Sequence, residues 1–144
     1  LATMPLIPQV VDAVDTPVIA AGGVADGRGL ASVLSLGAVG AQIGTRFVCA
    51  DECIAHDNYK EAIIKAKDRD AEKHGASNER LEELGIGRLK QAVIDGDTKE
   101  GSVMAGQVSG MVDKIESATE IIQSIIVEAT NRLESNCEMI VKED

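Results

Sequence analysis

The fold of this chain is decided by residues 16–47, which read TPVIAAGGVADGRGLASVLSLGAVGAQIGTRF. The stretch contains two short apolar runs, residues 17–21 and 39–43, and each run ends in a glycine-containing turn. Continuous apolar runs of this length are typical of parallel strands that are buried on both faces. The residues between the runs have helical spacing. The stretch therefore predicts a strand, a helix and a second parallel strand.

The predicted helix has recognisable ends. Asp26 occupies the position of an N-cap, where a short polar side chain accepts a hydrogen bond from the first helical turn. Gly37 follows the last helical residue and predicts the C-terminal stop. The apolar side chains on one side of this helix, residues 27–36, are Leu30, Val33 and Leu34.

The two turns have the composition of an anion site. Gly22 and Gly23 follow the first strand, and Gly44 with Thr45 follows the second. Glycine lets the backbone take a positive φ and lets N–H groups approach a ligand oxygen closely. The nearby helix N-terminus is expected to add partial positive charge. The alternative is that these glycines only permit tight turns, and the residues by themselves leave both readings open.

Two familiar phosphate motifs are excluded. The glycines have neither the GxGxxG spacing of a dinucleotide-binding fold nor the GxxxxGK[ST] spacing of a P-loop. The two turns therefore match neither a Rossmann dinucleotide fingerprint nor a P-loop.

Composition narrows the class of partner. The chain has 144 residues, with 14 Lys and Arg against 24 Asp and Glu, and a net charge of -10. Such a surface repels polyanions, and the 1% aromatic content provides no base-stacking platform, so we expect no nucleic acid and no membrane partner. The sequence contains neither a membrane-spanning run nor a signal-peptide pattern, which predicts a cytoplasmic location.

The cysteines and histidines do not predict a metal site. Cys49 and Cys53 are four residues apart and could share a helical face, which allows a redox or metal role. Their count with Cys137 is odd, however, and no second pair or clustered histidine accompanies them. We therefore interpret them as incidental thiols and His56 and His74 as isolated side chains, and we assign no metal ligand.

The remaining chain is predicted to be largely helical. A helix is expected within residues 49–70, with Tyr59 and Ile63 facing inward and Asp57 or Asn58 as its cap. Residues 71–83 lose periodicity and predict a loop or the site of a missing segment. An amphipathic pattern resumes over residues 84–94 and stops at a turn that contains Gly96.

Two further patterns follow. Small residues recur over residues 101–110, which allows either close packing of a helix or contact with a flat ligand, and Met104 suits both. The last helix is predicted over residues 117–133, with Ser117 and Glu120 as a capping box. Its apolar face consists of Ile121, Ile122, Ile125, Ile126, Ala129 and Leu133.

Four motifs in order resemble one family. They are IPQVVDAVDTPVIAAGGVADGRG at residues 7–29, GAQIGTRF at 40–47, HDNYKEAIIKAKD at 56–68 and GSVMAGQVSGMV at 101–112. Together they resemble the carboxyl-terminal half of flavin-dependent enoyl-[acyl-carrier-protein] reductase II, a relative of the nitronate monooxygenases (2-nitropropane dioxygenase-like superfamily).

The resemblance implies an α/β fold, the last two βα units of a TIM (β/α)8 barrel with a helical carboxyl-terminal extension. The end of the barrel would cover residues 1–70, and the extension would cover residues 84–144 and pack back on it. The implied enzyme is an oxidoreductase that binds FMN and uses NADH or NADPH to reduce a trans-2-enoyl thioester on acyl carrier protein in fatty-acid elongation. A homodimer is also implied.

The resemblance also implies site residues. The FMN phosphate would lie against the two turns, and Met104 would lie beside the flavin ring, with Gln107 supporting that wall. The implied cofactor-binding residues are Ala21, Gly22, Gly23, Gln42, Ile43, Gly44, Thr45 and Met104.

The chain departs from the family in two places. The family's proposed catalytic histidine precedes the position of Leu1, and neither His56 nor His74 matches it, so we assign no catalytic residue. A barrel takes about 250 residues, so we expect that stretches before Leu1 and near Ala71 are absent from this sequence. Two alternatives stay open: nitronate oxidation on the same fold, and a non-catalytic phosphate-binding module.

Overall fold

The computed structural model describes residues 2–66 and 87–140. The predicted loop or missing segment at residues 71–83 lies outside the described residues. The elements in chain order are α1 (Thr3–Ala13), β1 (Ile19–Ala21), α2 (Gly27–Ser35), β2 (Gly40–Gln42), α3 (Thr45–Val48), α4 (Asp57–Lys65), α5 (Arg88–Val93), a 3-10 helix (Gln107–Met111) and α6 (Ala118–Ile140). Among these described helices, none combines the length and the apolar character that a bilayer crossing requires.

The chain forms two compact units. The strand unit comprises Leu1–Gly44 together with Ala118–Asp144, and the helical unit comprises Thr45–Ser117. The two units are defined by which residues pack together. The predicted domains at residues 1–70, 71–83 and 84–144 are defined differently, by the expected end of a barrel and its helical extension. The predicted domains therefore stay a prediction.

The strand unit contains the predicted parallel pair. β1 pairs with β2 in the register Ile19 with Gly40, Ala20 with Ala41 and Ala21 with Gln42. Ala20 is fully buried, whereas Ile19 is 63% exposed. Successive strand residues point to opposite faces. The expectation of burial on both faces is therefore wrong for the described residues. The core behind Ala20 consists of Ile7, Val24, Val33 and Ala38.

Both predicted ends of α2 are confirmed. Oδ1 of Asp26 accepts a hydrogen bond from the N–H of Gly29 at 2.9 Å. Gly37 takes a φ of 97°. The N–H of Gly37 bonds to the carbonyl of Leu34 at 3.0 Å, and that of Ala38 bonds to Val33 at 3.1 Å. This pair of bonds is a Schellman motif, which satisfies the last carbonyls of the helix.

Helix α6 packs on α2 through a narrower face than predicted. Ile121, Ile125 and Ala129 are buried, whereas Ile122 and Ile126 are each 53% exposed. The buried residues recur every four positions, which makes a single stripe along the helix. The helix also runs to Ile140 rather than ending at Leu133.

The helical unit has its own apolar core. It consists of Cys49, Ala55, Tyr59, Ile63, Ala92 and Val112. The predicted inward positions Tyr59 and Ile63 are thus confirmed.

The helix expected within residues 49–70 is α4, which begins at Asp57. Its cap is neither Asp57 nor Asn58 but His56, whose Nδ1 accepts a hydrogen bond from the N–H of Asn58 at 3.1 Å. The preceding irregular loop is held by the buried Lys60, whose Nζ donates to the carbonyl of Ala50 at 2.8 Å. Satisfying loop carbonyls with a side-chain ammonium removes the need for a helical bond there.

Candidate functional site

The register of the sheet brings the two predicted turns together. Ala21 and Gln42 form the last pair of the ladder. When two parallel strands end at the same residue pair, the turns that follow them begin at the same edge of the sheet. Gly22 and Gly23 therefore leave this edge beside Ile43 and Gly44. The structure thus assembles six of the eight predicted site residues: Ala21, Gly22, Gly23, Gln42, Ile43 and Gly44.

The first turn requires glycine. Gly22 has a φ of 92° and Gly23 a φ of 75°, which side chains with a Cβ rarely adopt. The hydroxyl of Thr3 donates to the carbonyl of Gly22 at 3.1 Å and ties the turn to α1. Thr3 carries no recognisable signal in the sequence, because its contact spans nineteen residues.

The turns leave open space for a ligand. A Cβ placed on Gly22 or on Gly44 would meet no atom within 4 Å. Both residues are exposed. Within the described chain, the N–H groups of Gly23 and Gly44 have no backbone acceptor. Open amides beside open space are what an anion needs.

The nearby helix N-terminus does not contribute as expected. The N–H of Gly27 donates to Oε2 of Glu128 at 2.8 Å. The N–H of Gly29 donates to Asp26. Two amides of the first turn of α2 are therefore satisfied by carboxylates of the chain itself. The expected positive charge is already compensated, and the candidate anion site depends on the strand-end turns.

The other two predicted residues lie in the helical unit. Thr45 is the first residue of α3, and its Oγ1 accepts a hydrogen bond from the N–H of Gly106 at 3.0 Å. A hydroxyl that accepts one bond keeps its own proton for another acceptor. The predicted role of Thr45 as a hydroxyl donor is thus compatible with its geometry.

Met104 lies in an irregular segment rather than in the helix that its small neighbours allowed. Residues 102–106, named here the Met104 segment, have no regular secondary structure. The side chain of Met104 is 66% exposed. The close approach that the small residues predicted occurs at Gly101 instead, where a Cβ would lie 2.7 Å from the backbone nitrogen of Ala92.

Tyr59 is a residue whose role the sequence reasoning missed. Its hydroxyl donates to the carbonyl of Met104 at 2.8 Å and accepts from the N–H of the same residue at 3.0 Å. The helical pattern identified Tyr59 as an inward position. It gave no signal of this contact, because the partner lies forty-five residues further along.

The remaining candidates do not form a reactive site. Cys49 is fully buried, and this burial raises the pKa of its thiol, which keeps it neutral. His56 is used as a helix cap, and His74 lies outside the described residues. Within residues 2–66 and 87–140, no group of three His, Cys, Asp or Glu side chains is placed to hold a metal ion.

Comparison with known proteins identifies relatives that are named as nitronate monooxygenases. The family described as nitronate monooxygenase matches residues 1–80. A "Probable nitronate monooxygenase" of Staphylococcus saprophyticus is 50% identical over 70 residues, which are 49% of this chain and 20% of that protein. A similar protein of Staphylococcus haemolyticus is 49% identical over 70 residues.

Two solved structures resemble more of the chain. FabK from Thermotoga maritima aligns with a TM-score of 0.87 and 36% identity, over 96% of this chain and 52% of FabK. Nitroalkane oxidase from Streptomyces ansochromogenes aligns with a TM-score of 0.73 and 28% identity, over 91% of this chain and 44% of the oxidase. The chain therefore has the fold of about half of FabK.

The family match covers more than half of the chain and includes three of the four motifs, at residues 7–29, 40–47 and 56–68. It also includes the glycine turns that the structure places at one sheet edge. The chain belongs to the nitronate monooxygenase family.

Proposed function

We propose that this chain is the phosphate-anchoring part of an FMN-dependent oxidoreductase of the enoyl-[acyl-carrier-protein] reductase type. The observation that carries the proposal is the pair of glycine turns at one sheet edge, on a fold similar to half of FabK. In this proposal the chain forms the last two βα units of a TIM barrel, with residues 84–144 as a helical extension. Phosphate sites of such barrels lie after strands seven and eight.

The residues present fit a phosphate group. The open space above Gly22 and Gly44 would admit its oxygens, and the N–H groups of Gly23 and Gly44 would donate to them. The resemblance assigns Thr45 as a further donor, and its hydroxyl keeps its proton for another acceptor because it accepts the hydrogen bond from Gly106. Hydrogen bonds to a charged acceptor are the stronger kind.

The chain's contribution to the mechanism is orientation. Bound FMN would relay a hydride from NADH or NADPH to the double bond of a trans-2-enoyl thioester carried by acyl carrier protein. The turns would fix the phosphate end of the cofactor. The resemblance assigns Met104 to the wall beside the flavin ring. None of the described residues is assigned the proton transfer.

A second candidate function is nitronate oxidation. It is favoured by the 50% identity to the staphylococcal relative and by the similarity to nitroalkane oxidase. The reductase reading is favoured by the higher structural similarity to FabK and by the motifs at residues 56–68 and 101–112. In both, the turns would hold the same phosphate. A homodimer and a cytoplasmic location belong to the proposal for the reductase.

Absorbance of the purified natural protein provides the first test. A flavin spectrum is expected, and a colourless protein would favour the third reading, a non-catalytic phosphate-binding module. The second test separates the two oxidoreductases. Anaerobic oxidation of NADH or NADPH with a crotonyl thioester is expected. Oxygen consumption with a nitroalkane, without thioester turnover, would contradict the reductase and support nitronate oxidation.

A further inference from the structure

The hydroxyl of Thr3 contacts the first glycine turn from one side. It donates a hydrogen bond to the carbonyl of Gly22 at 3.1 Å. A Cβ placed on Gly23 would lie 3.3 Å from the same oxygen, Oγ1. The threonine side chain therefore lies against both glycines of the turn. All of these residues belong to the strand unit, Leu1–Gly44 with Ala118–Asp144.

Thr3 is fixed by the core of the strand unit. It lies one helical turn before Ile7 in α1, and residues four apart share one face of a helix. Ile7 is 5% exposed and packs with Ala20 and Val24. Ala20 lies in β1, which leads into the turn, and Val24 directly follows the turn. The core that holds both ends of the turn thus also holds Thr3 beside it.

The hydrogen bond to Gly22 also orients an amide. The peptide bond between Gly22 and Gly23 is trans, and a trans peptide is planar. The carbonyl of Gly22 and the N–H of Gly23 therefore point in opposite directions. Because the carbonyl points toward Thr3, the N–H points away from α1. This N–H has no backbone acceptor within the described chain. Thr3 thus determines the direction of an open donor.

The two glycines make this orientation one of two. Rotation of a peptide plane changes the ψ of the residue before it and the φ of the residue after it, and glycine tolerates more of the resulting angles than any other residue. Both residues of this peptide are glycines, so no side chain of their own opposes the rotation. In the rotated orientation, the carbonyl oxygen of Gly22 takes the place of the Gly23 N–H. An oxygen with partial negative charge repels an anion.

We propose that Thr3 is a positioning residue, which keeps the Gly23 N–H directed at the phosphate of the bound FMN. This inference rests on the proposed function and concerns the first turn alone. Thr3 acts through the peptide between Gly22 and Gly23 and makes no contact with the phosphate in this proposal. Removal of its hydroxyl is therefore expected to weaken binding of the phosphate group and not of the rest of the cofactor.

Two flavins separate these contributions, because riboflavin is FMN without its phosphate. Thr3→Val in the full natural protein removes the hydroxyl and keeps the branched shape. It is expected to weaken FMN binding, measured by quenching of flavin fluorescence, by about threefold to tenfold, the range of one net hydrogen bond. Riboflavin binding is expected to change by less than about twofold, the tolerance for independent sites.

Two further variants are controls. Thr3→Ser keeps a hydroxyl at the same position and is expected to keep FMN affinity within about twofold of wild type. Thr130→Val makes the same substitution at a hydroxyl that donates to the carbonyl of Ile126 within α6, at 2.9 Å. It is expected to leave the affinities for both flavins unchanged, because this bond lies outside the turn.

The wild-type protein provides a measurement that needs no substitution. The amide proton of Gly23 is expected to shift in the NMR spectrum when FMN binds, because a hydrogen bond to a charged acceptor is short and strong. Riboflavin is expected to leave this resonance nearly unchanged. An equal response to both flavins would show that Gly23 does not donate to the phosphate. It would overturn the positioning role even if Thr3→Val failed to fold.

The outcomes separate this inference from the proposed function. Equal losses of FMN and riboflavin affinity in Thr3→Val would show a purely structural role and overturn the inference. Wild-type FMN affinity in Thr3→Val, or a Thr3→Ser variant as weak as Thr3→Val, would also overturn the inference alone. A wild-type protein that binds FMN no more tightly than riboflavin would overturn the proposed phosphate site, and this inference with it.

Discussion

Two pairs of glycines, separated by a few residues, differ in the surroundings and hydrogen bonds of their backbone. Gly22 and Gly23 form an exposed turn with left-handed φ angles and open space above Gly22. Gly27 and Gly29 begin a helix, and their N–H groups are bonded to Glu128 and Asp26. The first pair has open space where we propose an anion, whereas the N–H groups of the second pair are already bonded to carboxylates of the chain itself.

Glycine content near the start of a helix therefore does not by itself indicate a ligand site. A Cβ on Gly27 would lie 2.5 Å from the backbone nitrogen of Ala129 and 2.6 Å from the carbonyl of Ile125. The glycine is there because α6 lies against it. This contact joins residues about a hundred positions apart, so the local sequence cannot reveal it.

The largest effect is expected from Gly27→Ala. The added methyl would press on the backbone of α6, and the unfolding free energy is expected to fall by about 3 kcal/mol, measured by urea denaturation. The better helix propensity of alanine offsets at most about 1 kcal/mol of this. Gly40→Ala is the control, because a Cβ there meets no atom within 4 Å. Equal stability of the two variants would contradict the packing role of Gly27.

Gly44→Val is expected to change stability little and to weaken FMN binding strongly. The side chain enters open space, so stability is expected to change by less than about 1 kcal/mol, the scale of a changed helix cap. The same side chain would occupy the proposed phosphate site, and FMN affinity is expected to fall at least about 100-fold, equivalent to about 2.7 kcal/mol. Quenching of flavin fluorescence measures the FMN affinity of the wild type and of the variant, with Gly40→Val as the control. Wild-type affinity in Gly44→Val would remove the phosphate assignment from this turn.

Gly22→Ala tests whether backbone strain, rather than steric crowding, requires glycine in the first turn. A Cβ at Gly22 has room, but the φ of 92° is unfavourable for alanine. A loss of about 1–2 kcal/mol in unfolding free energy is expected, the cost of a left-handed conformation. Gly22→Asn is expected to lose less, since asparagine tolerates this region better. If alanine and asparagine were equally stable at this position, strain would not explain the glycine.

The smallest effect concerns a third set of backbone amides, in the helical unit. The N–H groups of Glu100 and Lys99 donate to Asp97 and lower the pKa of its carboxyl group. Because the folded pKa lies below the unfolded one, this stabilisation is present above the unfolded pKa. It is lost as pH falls through the folded pKa.

Asp97→Asn keeps an acceptor oxygen and removes the titration. It is therefore expected to flatten the loss of stability slightly below about pH 4. Thermal unfolding at pH 3 and pH 6 measures the difference, with Asp95→Asn as control. An unchanged acid dependence would show that the amides do not hold Asp97 in its charged form.

Much of the strand unit could be predicted from local sequence. The parallel pair, the Asp26 cap and the Gly37 stop are all confirmed. The cap and the stop depend on residues within a few positions, and a single short helix joins the two strands. The predicted cap of α4, Asp57 or Asn58, is wrong, because the cap is His56. Backbone groups there are satisfied by Lys60 and His56, which use side-chain contacts that periodicity does not encode.

The candidate site divides in the same way. The two turns were predicted as strand ends, and the register places them at one edge. The prediction that the N-terminus of α2 adds positive charge to the site is wrong, because Glu128 of α6 accepts the hydrogen bond of the Gly27 N–H. Tyr59 was placed correctly as an inward residue, but its bonds to Met104 were not foreseen.

The strand, turn and helix order of residues 16–47 follows from local backbone energetics. The same is true of the requirement for glycine at Gly22 and Gly23, whose φ angles are positive. Only the tertiary structure decided which amides stay open and which are satisfied by the chain itself. A carboxylate or a phenol reaches a backbone group from any distance along the sequence. That choice depends on packing, which local patterns do not specify.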